Sequence, residues 1–315
     1  MLRRLLWCAL VSLVLAPTAL AGGPSPGVTQ GSEGVRLPEG DVSYVVKAAG
    51  ASTTLFAVRE TDGQTLLKRS LSATWGIPLV TFDGTTGGLS YDGSTLVLGD
   101  ASAYNGSGPL RPASRFLVLD AKTLATRSRV NLRGDFGFDA LSPNGKTLYL
   151  VQHVSQADVT RYVVRDYDLA RGRLLPGRIA DRTQRGWVMT GLPLARATSP
   201  DGRMAYTLYR NDGGYPFIHA LDTVRGTAHC IGVPWRANQD GLARLRLTLV
   251  GRELRLGWPG GKTFIAVDTQ TYRLSHPATA GTGGDFPWWA IAIGGVLVAG
   301  AFLVARRRGM SGPAA

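Results

Sequence analysis

The sequence predicts an all-β fold: a β-propeller of about five four-stranded blades, plus one C-terminal transmembrane helix. Three observations predict it. A glycine turn between strand-like runs recurs at Gly40, Gly93, Gly145, Gly202 and Gly251, with spacings of 53, 52, 57 and 49 residues. Each turn is followed by a second unit, in which an apolar run ends on an acidic residue and a polar turn. No stretch of residues 35–275 carries a helical period, so the core must come from strands. Two hairpins make four strands, and such a unit of about 50 residues repeated in series is a propeller blade.

The chain opens on Arg3 and Arg4, an apolar run from Leu5 to Leu15 and the small residues of Ala19-Leu20-Ala21. This is the pattern of a signal peptide over residues 1–21, with the mature chain starting near Gly22. The alternative, an uncleaved anchor, needs a longer apolar core than this run provides. Cys8 lies inside the apolar run and not at its end, which argues against a lipid attachment. Residues 22–36 read as an N-terminal linker, 37–277 as the propeller ectodomain and 278–285 as a second linker.

Within the ectodomain the first hairpins are Leu37–Val46, Leu89–Leu98, Leu141–Leu150, Thr198–Leu208 and Leu247–Leu256. Asp-Gly or Asn-Gly between apolar runs signals a hairpin, because glycine accepts a positive φ. The second hairpins turn around Glu60, Asp120, Asp168, Asp222 and Asp268, and β-branched and aromatic residues dominate their strands. Five blades account for the length. A sixth would have to be a degenerate unit in residues 70–90.

The turn Ser199-Pro-Asp-Gly202 with its following Leu208-Tyr209, and the later Leu221-Asp222-Thr223, resemble the repeats of bacterial secreted propellers of the YVTN and lactonase-like group, which are WD-repeat-like. The resemblance covers nearly the whole ectodomain. The first repeat departs from it with Glu60 in place of Asp, and the fifth lacks the Asp before Gly251. It implies blade structure. The group includes binding scaffolds and enzymes, so it does not choose a function.

Phe286 to Ala305 is a run of twenty residues without a charge, long enough to cross a bilayer as a helix. Trp288 and Trp289 stand at one end, and Arg306, Arg307 and Arg308 at the other, which the positive-inside rule keeps in the cytoplasm. The expectation is an exported single-pass protein of the cell membrane, with its ectodomain outside and residues 306–315 as a cytoplasmic tail. A bacterial sorting tail has a similar layout, but the chain has no Leu-Pro-x-Thr-Gly motif.

Composition narrows the function classes. The chain has 35 Lys and Arg against 22 Asp and Glu, a net charge of +13, and is 44% hydrophobic, which excludes a disordered chain. Part of the charge sits in the two termini, and the ectodomain excess still favours anionic neighbours outside the cell. Nucleic acid is in the wrong compartment, and no basic helix supports it. Cys230 is the one cysteine of the mature chain; it cannot form an internal disulfide and reads as a buried small hydrophobe.

Blade wiring places the short A–B and C–D turns at one end of the array, and the longer, irregular B–C and D–A loops at the other. Binding residues collect on irregular loops held by a rigid scaffold. The candidates on that loop end are Tyr104, Arg111, Arg133, Asp135, Arg185, Trp187, Arg196, Tyr215, Trp235, Arg236 and Asp240. Aromatic rings with arginines suit an acidic polymer, a sugar or a protein segment. The structural alternative is that Trp187 and Trp235 wedge between blades while Asp135 and Asp240 tie down loop amides.

Motifs for chemistry are missing. The sequence contains no His-Glu-x-x-His, Cys-x-x-Cys or calcium loop. The four histidines, His153, His219, His229 and His276, stand apart, and a base or metal site would have to be assembled across blades from His153 and His219 with Asp135 or Asp240. No catalytic residue, metal or cofactor is therefore predicted. The leading expectation is a non-catalytic binding or scaffold module for an envelope protein or an anionic polymer. The alternative is a lactonase-like enzyme with its site at the central channel.

Overall fold

The computed structural model describes residues 20–22, 25–101, 109–181, 183 and 188–276. Two short strands, β1 (Leu20–Gly22) and β2 (Ser25–Thr29), precede five antiparallel units. The first comprises β3 (Val35–Arg36), β4 (Val42–Ala49), β5 (Ser52–Arg59) and β6 (Thr65–Ser72). The second comprises β7 (Trp75–Pro78), β8 (Thr95–Asp100), β9 (Ala113–Asp120) and β10 (Thr126–Arg133), and β2 adds to its β7 edge with β1 beyond it. In the third are β11 (Asp135–Leu141), β12 (Thr147–His153), β13 (Arg161–Asp168) and β14 (Arg173–Leu174), and β15 (Met189–Thr190) also pairs with β13. The fourth is β16 (Leu192–Thr198), β17 (Met204–Arg210), β18 (Phe217–Asp222) and β19 (Thr227–Gly232). The fifth is β20 (Arg246–Val250), β21 (Glu253–Gly257), β22 (Thr263–Asp268) and β23 (Leu274–Ser275).

Burial orders the strands within the first three units. The first strands β7 and β11 are buried at every residue, whereas the last strands β6 and β10 are largely exposed. First strands therefore lie inside and last strands outside, the blade order of a propeller. Apolar clusters fill the spaces between successive sheets. Leu55, Trp75 and Leu117 join the first to the second, and Phe116, Phe136 and Leu148 join the second to the third. Tyr162, Tyr209 and Phe217 join the third to the fourth; Leu208, Leu247 and Ile265 join the fourth to the fifth. Among the described residues no such cluster joins the fifth sheet to the first. Arg246, Thr248 and Val250 on β20 are exposed, so alternate residues of the fifth sheet's inner strand face water.

The repeat motifs are turn chemistry. In Ser90-Tyr-Asp-Gly93, the Ser90 hydroxyl donates to Asp92 (2.6 Å) while Asp92 accepts from Ser94 N (3.0 Å) and Ser90 Oγ from Thr95 N (2.9 Å). Ser142 with Asn144 and Ser199 with Asp201 repeat this pattern. Gly93, Gly145 and Gly202 follow at φ of 64°, 63° and 70°, the left-handed region that favours glycine. In the second hairpins Asp120, Asp168, Asp222 and Asp268 each accept two backbone N–H groups of the turn they open, Asx-turn geometry. The first repeat has Glu60 there, and its turn is held from elsewhere: Asp41 accepts from Thr61 N (3.0 Å) and Asp62 from Gln64 N (2.9 Å).

Two segments differ from the expectation. Residues 22–36 are not a linker, because Ser25–Thr29 is a buried strand paired to β7 and Val35–Arg36 is the inner strand of the first sheet. Glycines make room for β2: a Cβ on Gly76 would lie 2.6 Å from Val28, and one on Gly137 would lie 2.6 Å from the Ser25 hydroxyl. Residues 70–90 do not form a sixth blade. They finish β6, supply β7 and then make a small hairpin bridged at Leu79 and Thr86, with Asp83 accepting from Thr85 N (3.1 Å). Phe82 N donates to Pro193 O (2.9 Å), so the hairpin reaches from the second sheet to the fourth. Gly76→Ala, which forces β2 off β7, is expected to cost about 1–3 kcal/mol in thermal or urea unfolding, whereas Gly232→Ala should stay within about 0.5 kcal/mol. Nothing lies within 4 Å of a Cβ on Gly232.

Among the described residues no helix is long and apolar enough to cross a membrane. Residues 1–19 of the expected signal peptide, the linker 278–285, the span 286–305 and the tail 306–315 lie outside the described residues.

Candidate functional site

At the loop end of the third sheet, Asp135 opens β11 and His153 closes β12, and the register sets them opposite each other. His153 Nδ1 lies 2.9 Å from Asp135 Oδ1. Arg111, in the loop between β8 and β9, donates from Nη2 to Asp135 Oδ1 (2.9 Å), from Nε to Oδ2 (3.0 Å) and from its backbone N to Oδ2 (2.9 Å). Burial alone would raise the Asp135 carboxyl, but the hydrogen bonds from His153 and Arg111 outweigh it and hold it well below the usual carboxylate range. The Asp135 and His153 side chains are buried and that of Arg111 is mostly so, and the cluster clamps a loop of the second sheet to the third.

A second ion pair spans the third and fourth sheets. Asp139 is the residue skipped by the register shift between Phe138 and Ala140, a bulge that releases its side chain from the ladder. Arg196, on β16, donates to the Asp139 carboxylate and carbonyl and, from Nε, to the Thr207 hydroxyl (3.0 Å). The two side chains are 3% and 7% exposed, so little water screens them. Asp139 Oδ2 has no hydrogen-bond partner.

Beyond this pair lies a third set, in which Asp181 and His219 are buried, Cys230 is half-buried and His229 reaches the surface. His219 Nδ1 is 3.7 Å from Cys230 Sγ, and Cys230 N donates to Asp181 Oδ2 (2.9 Å), which also meets His229 Nδ1 (2.7 Å). Burial pushes His219 down to about 4, so its ring is neutral near pH 7. Burial, with the Asp181 charge, pushes the Cys230 thiol up to about 12, which leaves it inert as a nucleophile.

A cavity at the axis, of about 480 Å³, lies at the turn end and is lined by Leu37, Tyr91, Phe138, Asp139, Arg196 and Thr223 among others. Its volume is within the range of small-molecule sites. Among the described residues no group of three or more His, Cys, Asp or Glu is placed to hold a metal ion.

The predicted residues distribute as follows. Arg111 and Asp135 come together in the His153 clamp. Arg196 is in a strand at the axis and not on a loop. Trp235 stacks edge-on against Phe264 (5.2 Å) and donates from Nε1 to Asn238 O (3.1 Å), packed against the core between the fourth and fifth sheets. Asp240 pairs with Arg210 (2.8 Å) and accepts from Asn238 Nδ2 (2.9 Å). Arg133 and Arg236 are exposed, and Tyr215 is 73% exposed on its loop. Tyr104, Arg185 and Trp187 lie outside the described residues. Reasoning from sequence missed Asp139, although a carboxylate inside the apolar run Phe136–Leu141 is a visible signal of a buried partner. It also missed Asp181, for which no local pattern exists.

Fold and site together define an all-β protein of serial four-stranded sheets in the propeller class, with the buried Asp135 and Asp139 each paired with an arginine. No family model matches the chain, and neither does any curated protein sequence. Among solved structures it is similar to TolB from Acinetobacter baumannii, at 14% identity and a TM-score of 0.41, covering 76% of this chain and 51% of that one. It is also similar to BamB from Moraxella catarrhalis, at 17% identity and a TM-score of 0.43, covering 78% and 66%. A third is the β-propeller domain of Swd1 from Myceliophteria thermophila, at 13% identity and a TM-score of 0.39, covering 81% and 73%. The chain spans about half the length of the TolB structure. Likeness at this level carries no function, and the description of the fold rests on the five sheets themselves.

Proposed function

We propose that this is an exported propeller, tethered to the cell membrane by a single helix over residues 286–305, that acts as a non-catalytic binding module for an envelope protein or an anionic polymer. The observation that carries the non-catalytic reading is the state of the buried ionisable groups. Asp135 is locked by Arg111 and His153, Asp139 is paired with Arg196, His219 is neutral and the Cys230 thiol is inert. Groups held this way stabilise the scaffold and are poor acids, bases or nucleophiles. The surplus of arginine supports an anionic ligand, and the exposed Arg133 and Arg236 at the loop end are the groups to meet it.

The unpartnered Asp139 Oδ2 beside the axial cavity favours the alternative, a lactonase-like enzyme acting there. Capture from envelope extract by the detergent-solubilised full chain separates the two readings. A bound partner should be retained at low ionic strength and released as salt shortens the screening length to about 8 Å. The Arg133→Ala/Arg236→Ala variant should lose most of that capture. Capture indifferent to salt and to both substitutions would remove the anionic-ligand reading.

A further inference from the structure

The fifth sheet determines where the chain leaves the fold. Its C–D turn, residues 269–273, lies at the turn end, so β23 runs back towards the loop end and leaves His276 level with Ile265, two residues short of where β22 begins. Ring contacts agree: His276 lies 6.5 Å from Phe264, which stacks edge-on with Trp258 (6.3 Å) and Trp235 (5.2 Å). Trp258 is 42% exposed, and Tyr215 on the neighbouring loop is more so. Arg236, Arg244, Arg246 and Lys262 are exposed in the loop segments around these rings. The two carboxylates of the same segments, Asp212 and Asp240, are both paired with Arg210. The corner where the chain exits is therefore aromatic and basic, its five cations outnumbering the two carboxylates, which share Arg210.

Nine residues, 277–285, separate His276 from Phe286. Fully extended they reach about 30 Å, so an anchored chain keeps this corner close to its own bilayer. Exposed tryptophan prefers the headgroup level, and lysine and arginine are drawn to anionic lipid. We infer that the loop corner formed by Trp258, Tyr215, Arg244 and Lys262 seats on the anionic outer leaflet of the membrane that holds the chain, with the turn end directed away from it. This rests on the membrane-anchor reading above. It also leaves the axial cavity, which opens at the turn end, facing away from the membrane.

The test uses the full chain, with Cys8 and Cys230 replaced by Ser, reconstituted into vesicles of phosphatidylcholine and phosphatidylglycerol. A fluorophore is placed on Pro259→Cys at the loop end or on Gln270→Cys at the turn end of the same sheet. Both positions are exposed, and β22 separates them by about 20 Å. Lipids carrying a nitroxide headgroup should quench the probe at 259 and leave the probe at 270 bright. Removing the charges and ring with Trp258→Ser, Arg244→Ala and Lys262→Ala should abolish the quenching at 259 while the chain stays membrane-bound, as should vesicles of phosphatidylcholine alone. Equal quenching at both positions, or stronger quenching at 270, in a chain that resists carbonate extraction would overturn the seating and leave the anchor standing. Release by carbonate would overturn both.

Discussion

Arg196→Met is expected to lower the free energy of unfolding by about 3–5 kcal/mol, because it strands the Asp139 carboxylate in the interior. The bulge at Asp139 and the mid-strand position of Arg196 bring the two groups together between the third and fourth sheets, away from water. Arg196 also satisfies the Asp139 carbonyl and the Thr207 hydroxyl, so its loss leaves several acceptors without a donor. The double variant Asp139→Leu/Arg196→Met should recover most of that loss, since removing both charges also removes their desolvation cost. Urea unfolding of the three proteins measures this. A single-variant loss below about 1 kcal/mol would mean that the pair is hydrated and contributes no more than a surface bridge.

His219 should make stability fall as the pH drops from about 6.5 towards 4. Burial holds the folded ring at about 4, whereas the unfolded ring takes up its proton near the ordinary value of about 6.5. Protons therefore favour the unfolded chain in this window. The contribution is complete above about pH 6.5 and declines by about 3 kcal/mol as the pH falls to the folded value. Nε2 of His219 has no partner, so His219→Phe gives up only the weak contact between Nδ1 and Cys230. That variant should lose the slope while unfolding much as the parent does near neutral pH. A slope unchanged in His219→Phe would assign it to another group. Asp135 acts in a lower window: its depressed carboxyl supports stability above about pH 4 and withdraws it only below.

Much of the blade structure was legible because it is local. The turn glycines at 93, 145, 202 and 251 do stand at positive φ, and the aspartates that recur in the second hairpins cap the amides of their own turns. A motif only four or five residues long contains both partners of each such hydrogen bond, so its period can be read along the chain. The site was far less legible. Arg111 and Asp135 were both singled out, but their joint role needs His153 and a loop from the next sheet. Trp235 was balanced between a ligand contact and a wedge, and the edge-on contact with Phe264 shows the packing role.

The sequence alone determined the five repeats, their two-hairpin wiring, the end of the array that carries the irregular loops, and the apolar segments at both chain ends. Tertiary structure decided what fills the axis. Ser25–Thr29 carries no strand signal of its own, and becomes one because Gly76, Gly99 and Gly137 leave a slot that only a close backbone can occupy. The hairpin at Leu79–Thr86 copies the turn motif of a blade, yet it sits at the axis because Pro193 offers an acceptor there. Asp139 and Arg196 are 57 residues apart and meet only once the third and fourth sheets pack. Period and turn chemistry are properties of neighbouring residues, whereas the pairing of buried charges depends on which sheets become neighbours in space.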